Sequence, residues 1–182
     1  MTNTKNVLIA NRYSDALVQI AKDGKLTYEK IADDLNLIKS TLDKSSDLNE
    51  FLINPLVSVD DKKDIIDKVF AEEIDVLIVN FLKVLVDKNR FFTFKEVLNS
   101  YNKTLDKINN IKRIDIISAI PIKKEEQDKL KEKLENKLKA NILLNLQTDE
   151  TIIGGLVIKM GDNVIDMSLK HKLDDLSKTI TR

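Results

Sequence analysis

The sequence predicts an α+β protein: an N-terminal six-helix bundle over residues 1–112 and a small β-α-β-β-β-α domain over residues 113–182. Three observations carry this prediction. Apolar residues recur at helical spacing from Val7 to Ile108, the mark of amphipathic helices. Beyond Lys112 the apolar period shortens toward two, the period of a strand. The 182 residues include only 4 Gly and 2 Pro, which favours long helices over many short strands.

Taken in order, Ile9, Tyr13, Ala16, Leu17 and Ile20 mark a first helix over residues 7–22. Asp23-Gly24 closes it with a glycine suited to a left-handed cap. Thr27 is placed to cap a second helix carrying Ile31, Leu35, Ile38 and Leu42. Asp47 with Glu50 forms a variant capping box for a short turn through Phe51 and Leu52, and Asn54-Pro55 ends that turn. Ser58 and Asp60 open a fourth helix with Ile65, Ile66, Val69 and Phe70. A fifth spans residues 74–88, with Asn89 as a candidate cap beyond its end. The sixth presents Phe94, Val97, Leu98, Tyr101, Leu105 and Ile108 along one face. Six helices with short connections read as a bundle.

In the second domain, residues 113–119 form an Ile-rich strand that Pro121 ends. Residues 124–139 form a highly charged helix with a narrow stripe of Leu130, Leu134 and Leu138. Ile142, Leu144 and Leu146 alternate along a second strand. Residues 155–160 and 163–166 flank Gly161-Asp162, a two-residue hairpin connection. Ser168 opens a closing helix with Leu169, Leu173, Leu176 and Ile180.

Composition excludes several functions. Lys plus Arg and Asp plus Glu each number 30, and neither part of the chain concentrates basic charge, so the footprint of a nucleic-acid binder is missing. No Cys is present, which removes disulfides, thiolate zinc sites and thiol nucleophiles. The most apolar stretch, residues 76–86, is far short of the roughly 20 residues of a membrane span. The polar start has no apolar segment of a secretory signal. A cytosolic or peripheral protein is expected.

Catalytic and cofactor chemistry finds little to work with. His171 is the single histidine, and between Lys170 and Lys172 it reads as a solvated helix position. One histidine without cysteine makes no transition-metal site. Gly154-Gly155, with Gly161 beyond, open a strand instead of leading into a helix, so they signal a bulge or close backbone approach and not a phosphate loop. The pairs Asp33-Asp34, Asp60-Asp61 and Asp174-Asp175 fall near helix starts or on faces expected to be exposed, where solvation accounts for them. The expectation is a protein that is not an enzyme, with no catalytic residue, no metal and no cofactor.

What stands out is apolar excess. Residues 76–86 are apolar nearly all round, and Val7 to Ala10 are four apolar residues in succession. An all-round apolar helix is either central to its bundle or lends a second face to a partner. In the second case, two such helices side by side form a groove for a helix from another protein.

The sequence also resembles a known family, the delta subunit of bacterial ATP synthases, equivalent to the mitochondrial oligomycin-sensitivity-conferring protein. The resemblance runs from Ala10 to Leu176. It rests on Ala10-Asn-Arg-Tyr-Ser-Asp-Ala-Leu17, Asn54-Pro-Leu-Val-Ser58, Phe81-Leu-Lys-Val-Leu-Val-Asp-Lys-Asn-Arg-Phe91 and Ile153-Gly-Gly-Leu-Val-Ile-Lys-Met-Gly-Asp-Asn-Val-Ile-Asp166. The resemblance implies a stator that ties the catalytic head to the peripheral stalk. It implies that a helix at the N-terminus of an alpha subunit binds Tyr13, Ala16, Leu17 and Ile20 on the first helix with Leu82, Val84 and Leu85 on the fifth. The second domain is implied to meet the C-terminal ends of the stalk b subunits. A monomer, one copy per complex, is expected on the cytoplasmic side of the bacterial inner membrane, without membrane insertion or nucleic acid. The sequence departs from the family at Met167, where a Gly is usual. Either ordinary backbone dihedrals serve there, or Met167 covers an apolar surface. A helical adaptor of another complex and an RNA-associated protein are the alternative readings.

Overall fold

The computed structural model describes residues 2–161 and 163–180, with side chains described for residues 6–161 and 163–174. The chain divides into two compact units, Met1–Leu105 and Asp106–Arg182.

Unit 1 contains α1 (Thr2–Lys22), α2 (Tyr28–Lys44), α3 (Ser46–Ile53), α4 (Val59–Phe70) and α5 (Val76–Asp87); a 3-10 turn, Phe91–Thr93, leads into α6 (Phe94–Ile108). Local chemistry sets most boundaries. Thr27 accepts from the Lys30 N–H and Ser58 from the Asp61 N–H, each satisfying a donor that a helix start leaves open. Gly24 and Asn89 take positive φ beyond the ends of α1 and α5. At α3 the cap is Ser45, whose side chain accepts from the Leu48 N–H. The expected pairing of Asp47 with Glu50 does not define that start, because the helix begins a residue before Asp47. The α5 cap is Asp75, which accepts from the Leu77 N–H, so the helix starts later than its apolar run suggests.

The core of unit 1 is one cluster of Leu, Ile, Val and Phe from all six helices, with Tyr101 fully buried among them. Its hydroxyl donates to the Tyr28 carbonyl at 3.1 Å, and burial raises its pKa above the usual tyrosine value. α4 and α5 are laced together by Lys63–Asp87 and Lys83–Asp67 ion pairs of 2.6 and 2.7 Å. One carboxylate expected on an exposed face is instead interior: Asp34 is only 3% exposed. A hydrogen bond from the Asp75 backbone and an ion pair with Lys30 hold it there, and solvation does not account for it.

Unit 2 contains β1 (Ile111–Ser118), α7 (Lys124–Leu138), β2 (Asn141–Thr148), a 3-10 turn at Glu150–Ile152, β3 (Leu156–Met160), β4 (Asn163–Asp166) and α8 (Leu169–Ile180). The last turn of α6 groups with this unit, where Asp106 takes a bidentate contact from Arg113 of β1. The strands form one mixed sheet in the order β2-β1-β3-β4. β1 and β2 are parallel across the α7 crossover, Ile114 facing Leu144 and Ile116 facing Leu146; β3 runs antiparallel to both β1 and β4. Period-two alternation sends Ile114, Ile116, Ile142 and Ile158 to one face, where Leu130, Leu134 and Leu138 of α7 close the core. The predicted stripe of the charged helix is therefore its packing face.

The glycines settle the hairpin. Met160 pairs with Asn163 across the connection that holds Gly161 at φ 58°; Asp162 lies outside the described residues, as do the side chains of Leu176 and Ile180. Gly155 has φ 81°, and a Cβ there would run into the Met167 carbonyl oxygen, while one on Gly154 would press on the Leu169 side chain. These two glycines let the start of β3 pass against the start of α8. Met167 is not among the positive-φ residues, so the chain turns into α8 with ordinary dihedrals and does not need the usual glycine.

Candidate functional site

In α1 the buried positions are Ala10, Ser14, Leu17, Val18 and Ala21. Ile9, Tyr13, Ala16 and Ile20, spaced i, i+4, i+7 and i+11, fall together on one flank of that buried face. Tyr13, Ile9 and Ile20 are half-buried and Ala16 is exposed. In α5 the matching flank is Leu77, Phe81 and Val84, again at i, i+4 and i+7. The two flanks meet where the ring of Tyr13 stands edge-on to that of Phe81, centroids 6.0 Å apart. An apolar strip of two helices results, and Val84 is 44% exposed within it.

The structure divides the seven residues singled out on these helices. Tyr13, Ala16, Ile20 and Val84 have surface to offer. Leu17, Leu82 and Leu85 have none, each being fully buried in the core. Their expected direct contact with a partner is corrected accordingly: a side chain without accessible surface supports the strip from beneath and cannot touch what lies on it. Three further residues share these flanks: Ile9 and Leu77, both half-buried, and Phe81, which is buried at 8% exposed. Helical phase could have found them, since Val84 and Leu85 are adjacent and point apart, whereas Leu77, Phe81 and Val84 share a side.

Unit 2 offers a second apolar feature. The segment after β1, the side of α7 and the residues before β3 border an open hollow of about 620 Å³, lined by Ile120, Ile122, Leu130, Ile153 and Leu156 together with Glu126, Lys129 and Lys133. Among the described residues, no group of three or more His, Cys, Asp or Glu is placed to hold a metal ion. No helix of the described residues is long and apolar enough to cross a membrane. His171 is exposed, and its backbone N–H donates to the Ser168 hydroxyl that caps α8.

A helical unit with an apolar two-helix strip, followed by a small sheet unit with its own apolar hollow, is the architecture of an adaptor that works through its surfaces. Residues 9–180 match the family model described as ATP synthase delta (OSCP) subunit. The chain is 32% identical over 175 residues to the ATP synthase subunit delta of Alkaliphilus oremlandii, covering 96% of this chain and 97% of that one. It is 38% identical over 169 residues to the chloroplastic subunit delta of Galdieria sulphuraria, covering 92% and 95%. A chain of the Toxoplasma gondii mitochondrial ATP synthase hexamer has the same fold, with a TM-score of 0.69 at 24% identity over 95% of this chain and 97% of that one. The chain belongs to the ATP synthase delta (OSCP) family. It is a non-catalytic structural subunit of the stator, linking the catalytic head of the synthase to its peripheral stalk.

Proposed function

We propose that the strip of Ile9, Tyr13, Ala16 and Ile20 on α1 with Leu77, Phe81 and Val84 on α5 receives the N-terminal helix of an alpha subunit, and that unit 2 receives the C-terminal ends of the stalk b subunits. The observation that supports the first half is the Tyr13–Phe81 contact, in which half-buried Tyr13 stands on buried Phe81 and joins the apolar flanks of α1 and α5. An amphipathic helix laid along such a strip buries its own apolar face at i, i+3, i+4 and i+7 spacing. The load is mechanical. A nanomolar attachment corresponds to about 12 kcal/mol, and burying a few large apolar side chains at about 1.5–3 kcal/mol each offsets the ordering that docking demands. One copy works per complex, as a monomer, peripheral to the cytoplasmic face of a bacterial inner membrane; the bacterial origin of close relatives supports that placement.

The test is calorimetric titration of the full chain with the N-terminal peptide of the alpha subunit from the same organism. One-to-one binding with a negative heat-capacity change is expected. Tyr13→Asp and Val84→Asp are expected to abolish it while leaving the helical circular dichroism intact. Unchanged peptide affinity in both folded variants would remove the strip as the docking surface.

A further inference from the structure

A small hollow of unit 1 holds a charge that the fold leaves without a counterpart. The end of α3, the start of α4 and the turn after α5 border a space of about 230 Å³. Buried Leu52, Val86 and Phe91 wall it on the inside, and exposed Ile53 and Phe92 wall it toward solvent. Of the described residues that line it, Lys62 alone is charged, and Asn89 adds a side-chain amide. Lys62 is only 4% exposed. Its ammonium makes neither an ion pair nor a side-chain hydrogen bond among the described residues. The nearby carboxylates are engaged elsewhere: Asp61 takes the Ser58 hydroxyl, and Asp87 takes Lys63. A buried ammonium without a partner is destabilising, and an aliphatic side chain of equal length would fill the same space without that loss. Packing therefore does not account for the charge, and its partner must come from outside the chain.

We infer that this hollow binds a small organic monocarboxylate with a compact apolar body, its carboxylate on the Lys62 ammonium and its body against Leu52, Phe91 and Phe92. A mostly apolar concavity with one or two placed polar groups is the usual form of a small-molecule site. Each part of the lining selects a feature of the ligand. One ammonium takes one carboxylate, and the Asn89 amide has N–H donors to offer the same group. The apolar walls disfavour phosphate or sulfate, which would shed hydration there with little to replace it. Size follows from the volume, which lies below the roughly 300–1,000 Å³ of sites for drug-sized ligands. A single ring or a short branched chain fits that space. No residue of the α1–α5 strip lines the hollow, so the inference stands apart from the reading of that strip.

The experiment titrates the isotope-labelled full chain with benzoate and with 4-methylpentanoate at pH 7 and fixed ionic strength, following backbone amide resonances. Saturable shifts are expected at Leu52, Ile53, Val86, Asn89 and Phe92. Benzamide, which keeps the ring without the charge, and acetate, which keeps the charge without the body, should each bind at least about tenfold more weakly. Lys62→Met keeps the stem, and it too should bind benzoate at least about tenfold more weakly. Phe92→Ala, at an exposed position, should weaken benzoate while leaving Lys62 in place. Benzoate should also raise the melting temperature of the parent and not that of Lys62→Met. If neither carboxylate gives saturable shifts, the hollow is no carboxylate site. Equal affinity for benzoate and benzamide, or for benzoate in the parent and in Lys62→Met, would overturn the role of the ammonium and with it the inference. Chloride or phosphate producing the same shifts would do so as well, by reducing the site to general attraction of anions.

Discussion

The buried carboxylate of Asp34 in α2 accepts a hydrogen bond of 3.0 Å from the backbone N–H of Asp75, 41 positions further along the chain. Its other oxygen takes the Lys30 ammonium at 2.7 Å. Asp75 in turn accepts from the Leu77 N–H at 2.8 Å and caps α5. Two carboxylates in series thus fix where α5 starts, and with it the height of Leu77, Phe81 and Val84 in the proposed docking strip. Asp34→Ala leaves the Asp75 N–H without its partner in a closed site, a loss of about 1–3 kcal/mol. Asp34→Asn keeps an acceptor and is expected to lose less. Urea unfolding followed by circular dichroism ranks the three proteins, and an Ala variant as stable as the parent would remove the proposed anchoring.

Ser14 lies in the middle of α1 with no exposed surface, and its hydroxyl oxygen has no hydrogen-bond partner. An orphaned buried hydroxyl is destabilising. Ser14→Ala removes it with little change of volume and also gains helix propensity. A rise in unfolding free energy of about 1–2 kcal/mol is expected, with peptide binding at the α1–α5 strip unchanged. A lower urea midpoint would mean that the hydroxyl is satisfied in solution.

What could be read from the chain alone follows the range of the interactions. Thr27 and Ser58 cap their helices through bonds to residues three positions on, so their signal is local and was legible. The strand alternation at Ile114 and Ile116 and the stripe from Leu130 to Leu138 were legible for the same reason. Asp34 was not, because its partner is distant in sequence and nothing beside it announces burial. Leu17, Leu82 and Leu85 were placed on the docking surface because an apolar side chain looks alike on either side of a helix that packs almost all round. Their phase relative to Tyr13 and Phe81 decides the matter, and only the neighbouring helices fix that phase. The hollow of unit 2 gave no signal because its walls come from three separated segments.

Lys62 in the first half of α4 is 4% exposed and makes no ion pair among the described residues. Burial pushes its ammonium below the usual lysine value of 10.5. The sign follows from linkage: a base whose pKa is lower in the folded state is destabilising while charged, and the penalty is relieved as pH climbs through the folded value toward 10.5. Lys62→Met keeps the stem and removes the charge, so it is expected to stabilise unit 1 at pH 7 by about 1 kcal/mol. The advantage over the parent should hold while the ammonium is charged in the folded state and shrink only as pH climbs through the folded value toward 10.5. Paired thermal melts at pH 7, 9 and 10.5 measure it, and an advantage that grows with pH would contradict the assigned cause.

Gly155 and Gly161 both have positive φ, 81° and 58°, but their surroundings differ. Around Gly161 a Cβ meets open space, so Gly161→Ala bears only the dihedral penalty of about 1 kcal/mol. At Gly155 the added carbon would collide with the Met167 carbonyl oxygen. That backbone cannot retreat freely, because the Met167 N–H donates to the Leu156 carbonyl and the Leu169 N–H to the Gly154 carbonyl, each at 2.9 Å. Gly155→Ala must therefore break this crossing or displace the start of α8, a loss of about 2–4 kcal/mol confined to unit 2. Hydrogen exchange resolves the location. Amides of β3 and β4 should lose protection in the Gly155 variant far more than in the Gly161 variant, with those of α2 and α5 unchanged in both. Equal protection in the two variants would show that the chain accommodates a side chain at this crossing, and that the glycine is there for its turn alone.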